Sequence, residues 1–126
     1  MVQHPEHILL IAMTDAICIN ELVTSLGQKN YRFLFAGMGE EAICMCKLHP
    51  EIELVIVDID LPGINGIETI RRIKQMDAVV PVILLVAYIM LESLRLAQNI
   101  SCNEVLQTPV DLKTLEAIIL KYLPCQ

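Results

Sequence analysis

No apolar run in this chain of 126 residues is long enough to cross a bilayer. The longest, VVPVILLVAYIML from Val79 to Leu91, is broken near its start by Pro81 and reads as a buried strand running into a helix. A charged start leading into an apolar core and a small-residue cleavage site is also missing, so no signal peptide is predicted and a cytoplasmic protein is expected. Basic residues are scarce: nine Lys and Arg against fifteen Asp and Glu leave a net charge of −6. Phosphate backbones require clustered cations, which excludes nucleic acid as an expected direct partner. The five cysteines, Cys18, Cys44, Cys46, Cys102 and Cys125, contain no CxxC pair, and their odd number points to reduced thiols rather than a disulfide framework. Cys44 and Cys46, two apart on an expected helix, should point to different faces. His4 and His7 read as part of a solvated leader rather than a metal site. Repeats, low-complexity tracts and linkers are lacking too, so residues 1–126 read as a single domain.

What remains is a regular alternation. Short apolar runs at Ile8 to Met13, Tyr31 to Ala36, Glu53 to Asp58, Pro81 to Val86 and Glu104 to Gln107 read as strands. Between them, Ile19, Leu22, Val23 and Leu26 form one helical stripe, and Ile64, Ile67, Ile70 and Ile73 form another. After the last strand, Asp111 is placed to cap a helix carrying Leu112, Leu115, Ile118, Ile119 and Tyr122. Strands that alternate with helices in this way must run parallel and connect by right-handed crossovers. The expected fold is a flavodoxin-like, doubly wound α/β domain: a five-stranded parallel sheet with helices on both faces.

In such sheets the ligand crevice lies beyond the carboxyl ends of the strands. The residues there are Thr14 and Asp15, Asp58 to Asp60, Val86 and Ala87, and Thr108 with Pro109. Asp58 closes an apolar strand, so its carboxylate should emerge from the core at that crevice. Asp15 has two readings, as a helix N-cap or as a partner facing Asp58. Two close carboxylates repel unless a cation joins them, and hard oxygen donors suit magnesium.

The segment DIDLPGINGIE around Asp58 resembles the signature of response regulator receiver domains, the CheY-like superfamily. GEEA at Gly39 to Ala42, Pro81, and TPVDLKTL at Thr108 to Leu115 have counterparts there as well, so the resemblance covers nearly the whole chain. It implies that Asp58 is a phosphoryl acceptor, that Asp15 and Asp58 ligate Mg2+ through their carboxylates, and that Asp60 does so through its backbone carbonyl. It also implies a sensor histidine kinase or a phosphotransfer protein as partner, and no enzyme activity beyond self-phosphorylation.

The departures from the family pattern bear on chemistry. Where the family has two acids after its first strand, this chain has Thr14 and Asp15, a register set by the 43 residues between Asp15 and Asp58 and by the stripe beginning at Ile19. The resemblance therefore implies a reduced, weaker Mg2+ site. Val86 stands 28 residues after Asp58 where a Ser or Thr is usual, and Thr108 stands 50 residues after it where a Lys is usual. Val105 replaces a switch aromatic. Loss of the Lys and the hydroxyl removes on the order of 3 kcal/mol of phosphoryl stabilisation. The Thr108–Pro109 bond is expected to be cis by the same resemblance.

Tyr88 to Ile100 is unusually apolar for a surface helix. With the last strand and helix it is an expected homodimer or output-partner face. Two functional readings follow: an atypical, phosphoaccepting receiver in a two-component phosphorelay, or a pseudo-receiver that binds proteins without phosphorylation. A haloacid dehalogenase-type phosphatase is disfavoured, because no later acidic pair follows the DID of Asp58 to Asp60. An FMN-binding flavodoxin is disfavoured because no Ser/Thr/Gly-rich phosphate loop follows ILLIAM.

Overall fold

The computed structural model describes residues 6–27, 30–77, 79–87 and 102–123. Strands β1 (His7–Ala12), β2 (Tyr31–Ala36), β3 (Leu54–Asp58), β4 (Val82–Ala87) and β5 (Glu104–Thr108) form one sheet in the order β2-β1-β3-β4-β5. All four pairings are parallel. Helices α1 (Ala16–Leu26), α2 (Gly39–Leu48), α3 (Gly66–Met76) and α4 (Leu112–Tyr122) complete the described elements. The expected fold class is thus the observed one. The segment Tyr88 to Ile100 lies outside the described residues.

Strand alternation explains how one sheet buries two layers. Leu10, Val55, Val57, Val82, Leu84 and Val86 point to one face, where α2 contributes Ala42 and α3 contributes Ile70 and Ile73. Leu9, Ile11, Leu54, Ile56, Ile83 and Leu85 point to the other and meet Leu22 and Leu26 of α1 and Leu115 and Ile119 of α4. Each such aliphatic side chain, fully removed from water, contributes about 1.5–3 kcal/mol. The central strands are therefore nearly uninterrupted apolar runs, as parallel strands covered on both faces must be.

Three helices begin on side-chain caps. Asp15 accepts from the amides of Ile17 and Cys18, Asn65 from that of Glu68, and Asp111 from that of Lys113. Capping fixes where each helix leaves the carboxyl edge of the sheet.

One expectation fails. His7 is not solvated leader but the first residue of β1, with its ring largely buried and Nδ1 3.2 Å from Glu53 Oε2. Glu53 also accepts from the Ile8 amide, so the pair ties the start of β1 to the approach to β3. A contact spanning 46 residues leaves no local mark in the sequence. Cys44 is exposed and Cys46 half-buried, so the two do face apart on α2.

Candidate functional site

Asp58 is the last residue of β3 and opposes Leu85 of β4. The strand behind it, Leu54 to Val57, is fully buried, whereas Asp58 is half-buried at the sheet's carboxyl edge. Its Oδ1 accepts from the Asp60 amide at 3.0 Å, which fixes the carboxylate's orientation. The loop that follows is held at both ends: Ile59 donates to Leu85 O, and Gly66 donates back to Ile59 O. Gly63 turns the loop with a φ of +77°, a left-handed conformation that disfavours side chains.

Asp15 sits across from this loop at the start of α1. Its Oδ1 accepts from Ile17 N at 3.0 Å and Cys18 N at 3.2 Å. Both readings of this residue gain ground from that position, because the capping carboxylate also borders a cleft of about 470 Å3 shared with Asp58. Thr108, Pro109, Val110 and Leu112 close the cleft from the β5–α4 side.

The cleft is electrostatically one-sided. Burial pushes the Asp58 carboxyl above its ordinary range; the Asp60 amide opposes this, and the charges of Asp60 and Asp15 add to it. Burial likewise raises the Cys18 thiol, reinforced by Asp15, Glu21 and Asp58. No Lys, Arg or His is among the described residues lining the cleft.

A divalent cation would relieve that excess of negative charge. Among the described residues, no group of three or more His, Cys, Asp or Glu side chains is placed to hold a metal ion. The Asp15 and Asp58 carboxylates, which border the same cleft, are hard-oxygen donors of the kind Mg2+ accepts when it keeps several of its waters, whereas Asp60 is not among the residues lining it. One oxygen of Asp15 is already committed to the helix cap.

Of the remaining positions of interest, Thr108 reaches this cleft, and Thr14, Val86 and Val105 are not among its lining. Thr14 is exposed and outside its lining. Val86 is 1% exposed and packs into the α2–α3 side of the core; Val105 packs against the same cluster. Thr108 does line the cleft, with its hydroxyl donating to Val86 O at 3.5 Å. The Thr108–Pro109 bond is cis.

Several lining residues escape a reading of strand ends alone: Met13, Ile17, Cys18 and Glu21 on one side, Val110 and Leu112 on the other. Helical spacing offers a signal for three of them. Ile17, Cys18 and Glu21 recur at three- and four-residue intervals beside the buried Leu22–Leu26 stripe.

Residues 9–120 match the family described as Response regulator receiver domain. The chain is 28% identical to Sporulation initiation phosphotransferase F of Bacillus subtilis, over 86% of this chain and 84% of that protein. It is 31% identical to Transcriptional regulatory protein TctD of Salmonella typhimurium over 86% of its own length, but spans only 48% of TctD. Among solved structures, a response regulator receiver protein from Pseudomonas putida superposes with a TM-score of 0.84 at 22% identity, covering 94% of this chain and 99% of that one. A CheY-like receiver domain protein from Methanospirillum hungatei gives 0.81 at 21% identity, covering 93% of each chain. At these identities the structural likeness speaks for the fold alone.

Proposed function

The chain belongs to the response regulator receiver domain family of two-component signalling, and on that basis we propose that it is an atypical receiver whose phosphoryl acceptor is Asp58. The observation that carries this reading is the carboxylate itself, delivered by a buried strand into an acidic cleft and aimed by the Asp60 amide. In the proposed step an Asp58 oxygen forms a bond to phosphorus while the bond from phosphorus to the donor breaks. The donor is a phosphohistidine of a sensor kinase or phosphotransfer protein, or a small acyl phosphate, and it leaves with the electron pair. The product is an aspartyl phosphate. Nothing is turned over beyond the chain's own modification, so the protein acts as a signalling module and not as an enzyme on a separate substrate.

Asp15 and Asp58 through their carboxylates and Asp60 through its carbonyl are the groups that would hold Mg2+. When bound, the ion would neutralise charge on the transferring phosphoryl group. The chain's own residues orient the acceptor and, through Met13, Ile17, Val110 and Leu112, line the cleft with apolar surface. A cytoplasmic receiver unit formed by residues 1–126 goes with this reading, as does an output or dimer surface on the face that includes Tyr88 to Ile100.

The second reading is a pseudo-receiver that binds partners unphosphorylated. It is favoured by one specific feature: the cleft has no lining cation to receive a phosphoryl group among the described residues. Incubation with acetyl phosphate and Mg2+ followed by intact-mass measurement separates the two. A gain of one phosphoryl mass that Asp58→Asn abolishes supports the first. No gain, with partner binding unchanged in Asp58→Asn, supports the second.

A further inference from the structure

Helix α2 starts without a side-chain cap, since Met38 in the cap position makes no such bond. The acceptor loop caps it instead: the Gly39 amide donates to the Pro62 carbonyl at 3.2 Å. The exchange is reciprocal, because the Ile64 amide donates to Glu40 Oε1 at 3.4 Å, across 24 residues of chain. The Glu40 carboxylate also lies against Gly63, where a Cβ would strike it. Nothing separates helix from loop at Gly39 either, since a Cβ there would meet the Ile64 carbonyl oxygen at 2.6 Å.

The two acids of the GEEA segment therefore do different things. Glu41 accepts from the Gly37 amide at 2.6 Å and so binds only the start of its own helix, whereas Glu40 reaches across to the loop. Within that loop, Ile59 and Leu61 are buried and hold their own places in the core. Asp60 between them is exposed, and its amide is the donor that fixes Asp58 Oδ1. The turn that follows, residues 62–64, is exposed at Pro62 and Gly63 and meets α2 through the two bonds above. Exposed turns of this kind are where a fold opens locally at low cost. A clasp at the turn opposes that opening, and opening is what would free the Asp60 amide from Asp58.

We infer that Glu40 is a positioning residue for the acceptor: by holding the turn at residues 62–64 against α2, it keeps the Asp60 amide on the Asp58 carboxylate and that carboxylate aimed into the cleft. Glu40 is not among the residues lining the cleft, so it acts through the loop and not on a phosphoryl group. What it supplies is an acceptor oxygen rather than a charge, and Gln carries the same acceptor. The consequence for phosphorylation rests on the reading of Asp58 as the acceptor, whereas the clasp on the loop does not.

Amide hydrogen exchange measured by NMR reads the clasp directly. The Ile56 amide, in the fully buried part of β3, follows opening of the whole fold, and the Asp60 amide follows opening of the loop. In Glu40→Ala the Asp60 amide should exchange roughly 2- to 10-fold faster relative to Ile56, the effect of losing one ordinary hydrogen bond. Glu40→Gln should restore the parent's rate. Glu41→Ala, which removes an acid from the same turn of α2, should leave Asp60 as it is. The initial rate of labelling by acetyl phosphate with Mg2+ should follow the same order, slowed in Glu40→Ala and parental in the other two. An Asp60 amide unmoved in Glu40→Ala, freed as much by Glu41→Ala, or not restored by Glu40→Gln overturns the clasp. Faster Asp60 exchange with unchanged labelling overturns the positioning role. A parent that takes up no phosphoryl group overturns the acceptor reading instead, and the exchange rates still decide whether Glu40 holds the loop on Asp58.

Discussion

Gly66 packs its α-carbon directly onto the backbone of Asp58. A Cβ at residue 66 would fall against the Asp58 carbonyl oxygen and within 2.7 Å of Ile59 Cα. Both obstacles are main chain at the end of a central strand, which cannot swing aside as a side chain would. The first turn of α3 is thereby pressed against the acceptor loop, and Asn65 caps the helix at that same point. Gly66→Ala should destabilise the fold by about 1–3 kcal/mol, the range for overpacking a filled site. It should also disturb the Asp58 carboxylate, since the backbone that carries it must shift. Urea denaturation measures the first effect and the amide chemical shift of Asp60 the second; an unmoved Asp60 resonance would contradict the close packing.

Asp15 serves the α1 cap and the acidic cleft at once, and substitution can separate the two. Asn caps a helix about as well as Asp, whereas Ala forfeits about 1 kcal/mol. Asp15→Asn should therefore keep the parent's stability while losing the charge that Asp58 feels, and Mg2+ affinity should fall with it. Asp15→Ala should lose both. Paired denaturation and Mg2+ titration by isothermal calorimetry check this; a stable Asp15→Asn with undiminished Mg2+ binding would leave Asp15 a cap and nothing more.

Asp58 predicts a pH dependence of definite sign. Its carboxyl lies above the ordinary range because burial, with the charges of Asp60 and Asp15, outweighs the Asp60 amide hydrogen bond that favours the charged form. A group raised in this way contributes stability below its unfolded-state value and loses that contribution as pH climbs through its folded-state value. Metal-free parent protein should thus lose stability, relative to Asp58→Asn, as pH rises through and just above the usual carboxylate range. The gap between the two should be small in acid and open toward neutrality. Chemical denaturation of both proteins across that window, with EDTA present, tests it; a gap that closes with rising pH would reverse the sign.

Much of the site's framework was legible from the sequence because it rests on periodicity and on strand ends. Tyr31–Ala36 is a strand over the expected residues, and β1, β3, β4 and β5 differ from expectation by one residue at one or both ends. Asp111 caps its helix as its position suggested, and Leu115 and Ile119 of the expected stripe are fully buried. Less legible were features set by alternation across a finished sheet. Val86 occupies the expected position after Asp58, yet its side chain falls on the α2–α3 face with Val57 and Leu84, away from the cleft. A one-residue step reverses the face of a strand residue, so the ends of strands are where sequence reading is least secure. His7 and Glu53 were illegible for another reason: the contact depends on two strands meeting in register, and neither residue announces the other.

The alternation that hides Val86 also reshapes what restoring the two departed groups should do. Thr108 lines the cleft with Asp58, so a Lys there is within the same enclosure as the phosphoryl group it would bind. A charge-assisted bond of that kind is worth about 1.5–3 kcal/mol, or roughly 10- to 150-fold in the lifetime of an aspartyl phosphate. Thr108 gives up only a long hydroxyl contact to Val86 O at 3.5 Å, so the substitution should cost little stability. Val86→Thr is different, because a side chain that is 1% exposed among Val57, Leu84 and Ile59 would have to bury a hydroxyl. That costs about 1–3 kcal/mol unless the hydroxyl finds a main-chain acceptor. The double variant Val86→Thr with Thr108→Lys should label more fully or hold its label longer than the parent, and Thr108→Lys alone should deliver most of that gain with less loss of stability. Acetyl phosphate labelling followed by intact mass over time distinguishes the three proteins. If the double variant decays like the parent, the missing Lys and hydroxyl are not what limits this site.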